Sequence, residues 1–124
     1  MCYPPNTNPT VAYPASDPYV TAVGGTTLLT DSSGVRASET AWQDSPGGAS
    51  SFFSRPTWQR GPGVPQSQNR GISDVAFDAD LNTGYWSYFQ GNWLSNTGGT
   101  SFGAPNWAAL WALGVEAEGG AVPD

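Results

Sequence analysis

The sequence has 124 residues, room for one small domain around one core. It holds 16 Gly and 11 Pro, yet also 6 Trp, 5 Tyr and 5 Phe, an aromatic content that separates it from disordered chains. Its net charge of −6, with four Arg and no Lys, excludes the basic stripe that nucleic acid or an anionic membrane surface requires.

Residues 1–18 are rich in Pro and Asn and predict an irregular lead-in. Met1-Cys2-Tyr3-Pro4-Pro5 has neither the charged start nor the apolar stretch of a signal peptide. No apolar run approaches the ~20 residues of a membrane span. Cys2 is the single cysteine, so no disulfide closes within the sequence. Residues 19–29, β-branched and mostly apolar, predict a buried strand, and its paired Gly24 and Gly25 suggest a bulge or a close backbone approach. Asp31-Ser32-Ser33-Gly34 reads as a turn, with Val35 to Trp42 returning antiparallel. Residues 43–72 read mostly as loop, punctuated by Gly47-Gly48, Pro56, Gly61-Pro62-Gly63 and Pro65. A loop of that length tends to be functional or to pack on something else.

Residues 73–79 predict a short strand, and Tyr85 to Phe89 an aromatic one that turns at Gln90-Gly91-Asn92 and returns through Trp93-Leu94. The one convincing helix runs from about Ser101 to Val115, followed by a polar, Gly-rich tail. Ala104, Trp107, Ala108, Leu110, Trp111 and Leu113 cover more than one of its faces, so burial nearly all round is expected. Such a helix, and any buried parallel strands, need more neighbours than these elements supply. The sequence therefore reads as part of an α/β core, with no repeat and no second domain.

The sequence contains no His. Most serine hydrolases activate the hydroxyl with imidazole, so any nucleophilic Ser here must take its base from a carboxylate, an amine or another chain segment. Gly98-Gly99-Thr100-Ser101-Phe102-Gly103-Ala104-Pro105 is the candidate. Gly98 and Gly99 permit a sharp turn and close approach of a substrate carbonyl. Ser101 falls in the first helical turn, where unpartnered N–H groups and the positive dipole end converge and its own N–H is available to an oxyanion. Pro105 falls within the first turn or so, where a missing N–H costs little. The structural alternative is that Ser101 merely caps the helix.

Four segments carry a wider likeness: Tyr13-Pro14-Ala15-Ser16-Asp17-Pro18 with Tyr19 to Thr26, Pro56-Thr57-Trp58-Gln59, Ser73-Asp74-Val75-Ala76, and Gly98 to Pro105. In order and approximate spacing the sequence resembles the sedolisin family of serine-carboxyl peptidases, from about residue 11 to 114. The resemblance implies a partial subtilisin-like α/β fold, with residues 1–124 a fragment of one catalytic domain. It implies Ser101 as nucleophile and secreted, acid-acting hydrolysis of peptide or protein substrates. The family's base is a Glu backed by an Asp; these, and the Asp of its oxyanion hole, lie upstream of the matched region, and its calcium site lies downstream. No cofactor or metal ligand in this sequence corresponds to them. The chain is expected to need that remaining part of its catalytic domain and to be inactive alone.

Local carboxylates offer no substitute. Asp78-Ala79-Asp80-Leu81-Asn82 loosely suggests a calcium loop, but Asp80 and Asn82 suit a turn and Asp74 a strand-end hydrogen bond. Glu39 belongs to a hairpin strand, and Glu116 and Glu118 to the far end of the helix. Tyr85, Trp86, Tyr88, Phe89 and Trp93 suggest a sugar-stacking platform as in a carbohydrate-binding module, against which stands core packing, the commoner fate of aromatics. The other functional readings are thus a non-catalytic secreted binding module and a degenerate pseudoenzyme.

Overall fold

The computed structural model describes residues 11–64 and 66–120. The readings for residues 1–10, Cys2 among them, for Pro65 and for residues 121–124 lie outside the described residues. Among the described residues, seven short strands in three small sheets precede one helix. No described helix is long and apolar enough to cross a membrane.

The strand expected over residues 19–29 is β1 (Val23–Thr30), the centre of a sheet ordered β2-β1-β5. It pairs antiparallel with β2 (Arg36–Ala41) through the expected hairpin. Asp31 builds that turn: its Oδ1 accepts from the Ser33 N–H, the Ser33 hydroxyl and the Val35 N–H, and Gly34 takes φ 80. On its other edge β1 pairs parallel with β5 (Val75–Asp78), Val23 opposite Val75 and Thr26 opposite Asp78. The glycine pair marks close approach rather than a bulge, the ladder's irregularity falling at Leu29/Thr30. A Cβ on Gly25 would stand 2.7 Å from Ala79 Cβ and 2.9 Å from the Trp42 ring.

Residues 43–72, read as mostly loop, in fact contain an antiparallel pair, β3 (Gly48–Ser54) and β4 (Asn69–Ile72). Its signal is weak because the register shifts between Ala49 and Ser54 and Ser50 Oγ, not a partner strand, accepts from the N–H groups of Phe52 and Phe53. The pair is tied to the main sheet by a buried cation. Arg70, fully buried, donates to Asp74 at 2.5 and 2.8 Å and to the Val20 carbonyl, with the Trp58 ring 5.1 Å from its guanidinium. Asp74 also accepts from the Ala22 N–H at 2.7 Å, the strand-end bond expected of it. Gln59 brackets Gly71 with two bonds of 2.8 and 2.9 Å. Two segments of the family likeness, around Trp58-Gln59 and Asp74, thus meet on β4.

An aromatic hairpin, β6 (Tyr85–Phe89) and β7 (Asn92–Thr97), follows, turning at Gln90-Gly91 with both residues at positive φ. Helix α1 (Thr100–Ala117) starts one residue before the expected Ser101 and ends two beyond Val115. It sits on β1 and β5 through Gly103, whose Cβ would lie 2.8 Å from Phe77 Cβ and 3.2 Å from Val23 Cγ1. Trp107 Nε1 donates to the Ala76 carbonyl at 3.0 Å, so α1 runs back antiparallel to the two strands.

Two expectations fail on burial. Gly103 is the one buried residue of α1, while Leu110, Trp111 and Leu113 are about half exposed or more, so the helix is not enclosed. Trp86, Tyr88, Phe89 and Trp93 also lie exposed instead of joining a core. The physical reason is common to both: apolar periodicity tells that a face wants cover, and the described residues cover only the side facing β1 and β5. Ala22 and Ala79 are the fully buried apolar side chains among them.

Candidate active site

The start of α1 is built against the carboxyl end of β5, the edge at which open α/β sheets bind ligands. Ala79 follows β5 directly, is wholly buried, and donates its N–H to the Thr26 carbonyl at 2.9 Å. Its carbonyl accepts from the Gly99 N–H at 2.7 Å. Gly98 lies so close over that carbonyl that a Cβ would stand 2.7 Å from its oxygen. Gly99 itself is the N-cap, at φ 84 and ψ 156, a conformation that favours glycine. The paired glycines are therefore both needed, one for space and one for its dihedral angles.

Ser101 is the second residue of α1 and is exposed. The capping alternative does not hold: Gly99 occupies the cap and no side chain makes a capping hydrogen bond. The Gly99 N–H is taken by Ala79 and the Phe102 N–H by the Gly99 carbonyl at 2.9 Å. Those of Thr100 and Ser101 donate to no acceptor among the described residues. Two free N–H groups, the positive end of an 18-residue helix and an unengaged hydroxyl converge there. Pro105 lies deeper than expected, at the sixth helical position, where its missing N–H leaves the Ser101 carbonyl without its i+4 donor.

The first turn is held by rings that the motif did not reveal. Phe102 stacks on Tyr85 of β6, centroids 4.9 Å apart, and lies 6.4 Å from Phe77 of β5, which itself stacks on Tyr85 at 5.7 Å. This cluster fixes the residue next to Ser101 to two separate strands. Its sequence signal was a Phe after the Ser and an aromatic at the foot of the hairpin; only the fold brings them together. Burial, reinforced by the charges of Asp78 and Glu39, raises the Tyr85 phenol above its ordinary value.

No carboxylate here is placed to take a proton from Ser101. Asp78 Oδ1 accepts from the Leu28 N–H and the Thr83 hydroxyl. Asp80 accepts from Asn82 through N–H and Nδ2, both at 2.9 Å, and from the Thr27 hydroxyl at 2.8 Å, and these bonds hold it below the usual Asp value. The apparent calcium loop is thus a turn tied to β1, and the described residues contain no group of three or more His, Cys, Asp or Glu that could hold a metal ion. Glu39 pairs with Arg36 at 3.0 Å on the exposed hairpin. Glu116 lies fifteen residues along α1 from Ser101, about 22 Å at 1.5 Å per residue. Two clefts, of about 440 Å³ beside Trp42 and Ser73 and about 340 Å³ beside Asp44 and Asp80, do not include Ser101 in their walls.

Comparison with known proteins gives a consistent result, although no family model matches the sequence. It is 40% identical over 121 residues to sedolisin from Pseudomonas sp. (strain 101), covering 89% of this chain and 20% of the relative. With kumamolisin from Bacillus sp. (strain MN-32) the identity is 44% over 114 residues, covering 82% and 20%. With xanthomonalisin from Xanthomonas sp. (strain T-22) it is 32% over 124 residues, covering 86% and 14%. The structure superposes on Pseudomonas sedolisin, a serine-carboxyl proteinase complexed with two molecules of pseudo-iodotyrostatin, with TM-score 0.75 and 37% identity over 89% of this chain and 32% of that one. The chain spans about a fifth or less of the length of the curated relatives it matches.

Proposed function

The chain belongs to the sedolisin family of serine-carboxyl proteinases, and on that premise we propose that Ser101 is the nucleophile of an acid-acting, secreted peptidase. The observation that carries the reading is the exposed Ser101 hydroxyl at the head of α1, beside an N–H with no acceptor among the described residues. Ser101 Oγ attacks the scissile carbonyl of a peptide, and its proton passes to a base. The carbonyl oxygen takes the negative charge and is met by the Ser101 N–H and the helix dipole. Collapse expels the amine, which leaves with the proton, and water then releases the acid from the acyl-serine.

The base is a Glu backed by an Asp, contributed by sequence outside these 124 residues. A carboxylate's ordinary pKa lies well below that of imidazole, so it accepts the proton only where its surroundings tune it, and the nearby Asp78 and Asp80 are committed elsewhere. The chain alone is accordingly inactive, because nucleophile and base act as a unit.

The test is a chimera in which this chain replaces the matching segment of Pseudomonas sedolisin. Peptide hydrolysis at acid pH is expected, lost by a factor of about 10³ or more in Ser101→Ala with the fold retained. A chimera that folds and cleaves peptides equally well without the Ser101 hydroxyl overturns the reading.

A further inference from the structure

Pro105 lies inside α1 at the sixth helical position, past the first turn, where a missing N–H is of little consequence. In an α-helix each N–H donates to the carbonyl four residues earlier, and the ring of an interior proline crowds that same carbonyl. The carbonyl four residues before Pro105 is that of Ser101. Chain spacing within one helix fixes this relation, whatever packs around it. The helix is therefore interrupted at the residue that bears the hydroxyl. On both sides of Pro105 its neighbours are pinned. Phe102 stacks on Tyr85 at 4.9 Å, and its carbonyl accepts from Asn106 Nδ2 at 2.7 Å. Gly103 rests on Phe77 and Val23, and Trp107 Nε1 donates to the Ala76 carbonyl at 3.0 Å.

We propose that Pro105 is a positioning residue for the nucleophile, turning Ser101 away from regular helical geometry so that its hydroxyl and N–H meet the same scissile carbonyl. The proposal rests on the peptidase reading. Crowding between a proline ring and the carbonyl before it is ordinarily relieved by bending the helix. Here Phe102, Gly103 and Trp107 hold the helix body to β1, β5 and β6, so bending is resisted. The adjustment falls instead on Ser101 itself, which precedes the pinned residues and makes no side-chain capping bond. An alanine at position 105 supplies the missing donor and removes the ring, so the Ser101 carbonyl closes onto the helix and carries the residue with it. A misplacement of about 1 Å at a reacting atom costs roughly a hundredfold in rate, so a small turn of Ser101 is enough to matter.

The test is Pro105→Ala, with Gly114→Ala as the control that stiffens the same helix far from the serine. In the 124-residue chain Pro105→Ala should raise the melting temperature, because the helix gains a hydrogen bond and loses a steric contact. The NMR shift of the Ser101 carbonyl carbon should move downfield as its oxygen is engaged. In the sedolisin chimera Pro105→Ala should lower kcat by roughly tenfold or more while KM stays within about twofold. Gly114→Ala should raise the melting temperature and leave kcat unchanged. Stability and activity moving in opposite directions is the signature that a merely structural proline would not give. Full kcat in Pro105→Ala, an equal loss of kcat in Gly114→Ala, or a fall in stability together with activity each overturns the proposal. If hydrolysis requires Ser101 but is indifferent to Pro105→Ala, this proposal fails alone. If Ser101→Ala leaves hydrolysis intact, the peptidase reading fails instead.

Discussion

Replacing Gly103 by Ala should loosen the helix that carries Ser101, while the same change at Gly114 should tighten it. Inside a helix Gly is worse than Ala by about 0.5–1 kcal/mol, chiefly because its backbone loses more freedom on folding. A Cβ on Gly114 would meet nothing within 4 Å, so that whole gain is available. On Gly103 it would lie 2.8 Å from Phe77 Cβ and 3.2 Å from Val23 Cγ1, atoms fixed close to the backbone of β5 and β1. They cannot swing aside, so the helix must lift, and overpacking of this kind costs about 1–3 kcal/mol. Subtracting the propensity gain leaves a net loss near ~1 kcal/mol at Gly103, and a gap between the two variants near ~2 kcal/mol. Urea unfolding followed by circular dichroism at 222 nm resolves a gap of that size. Because Gly103 lies two residues from Ser101, kcat/KM of the chimera should fall in the first variant and hold in the second. If Gly103→Ala stabilised the chain as Gly114→Ala does, the seating of α1 on Val23 and Phe77 would be wrong.

Asp74→Asn keeps an acceptor for the Ala22 N–H but leaves the fully buried Arg70 without a counter-charge, and should cost about 3–5 kcal/mol by urea unfolding. Glu39→Gln, which breaks the exposed Arg36 pair, should stay within about 0.5 kcal/mol of the parent. Asp80 is held below its ordinary 3.8 first by the Asn82 N–H and then by the Thr27 hydroxyl, and Asp31 likewise by the Ser33 hydroxyl and the Val35 N–H. The folded state therefore releases these protons more readily than the unfolded one, so their contribution is complete above about pH 3.8 and lost as pH falls through the lowered values. Unfolding midpoints at pH 5, 4 and 3 should decline, and less steeply in Asp80→Asn. Tyr85 shifts the other way, raised from 10.0 by burial and then by Asp78 and Glu39, so its contribution is full below pH 10 and fades as pH rises through the raised value. Tyr85→Phe should remove absorbance at 295 nm from the alkaline end of the titration.

Elements with a local cause were legible in the amino-acid order. The β1–β2 hairpin follows from a β-branched run and an Asp that closes its own turn, and the β6–β7 hairpin from aromatics around Gln90-Gly91. β3 and β4 were not, because Ser50 and Gln59 side chains do part of the work that alternating apolar residues would advertise. At the site, Gly98-Gly99 announced a tight approach without saying to what. The answer is the carbonyl of Ala79, twenty residues away from Gly99, and its role exists only once β5 is paired with β1. The capping role weighed for Ser101 likewise fails on a geometry that no residue pattern states directly, Gly99 holding the N-cap at φ 84.

What places the Ser101 hydroxyl is therefore a frame of short reach. Ala79 receives Gly99, Phe102 locks onto Phe77 of β5 and Tyr85 of β6, and Gly103 rests on Val23 of β1. No base is aimed from that frame: its carboxylates are fastened to Thr27, Leu28, Asn82 and Thr83, and none of these bonds directs an oxygen at the serine. Positioning and proton transfer are thus physically separable here, and on the proposed reading they belong to different stretches of the polypeptide. On that reading, a frame that holds Ser101 through backbone bonds and rings keeps the hydroxyl in register at a pH where a carboxylate base must cycle between its charged and neutral forms.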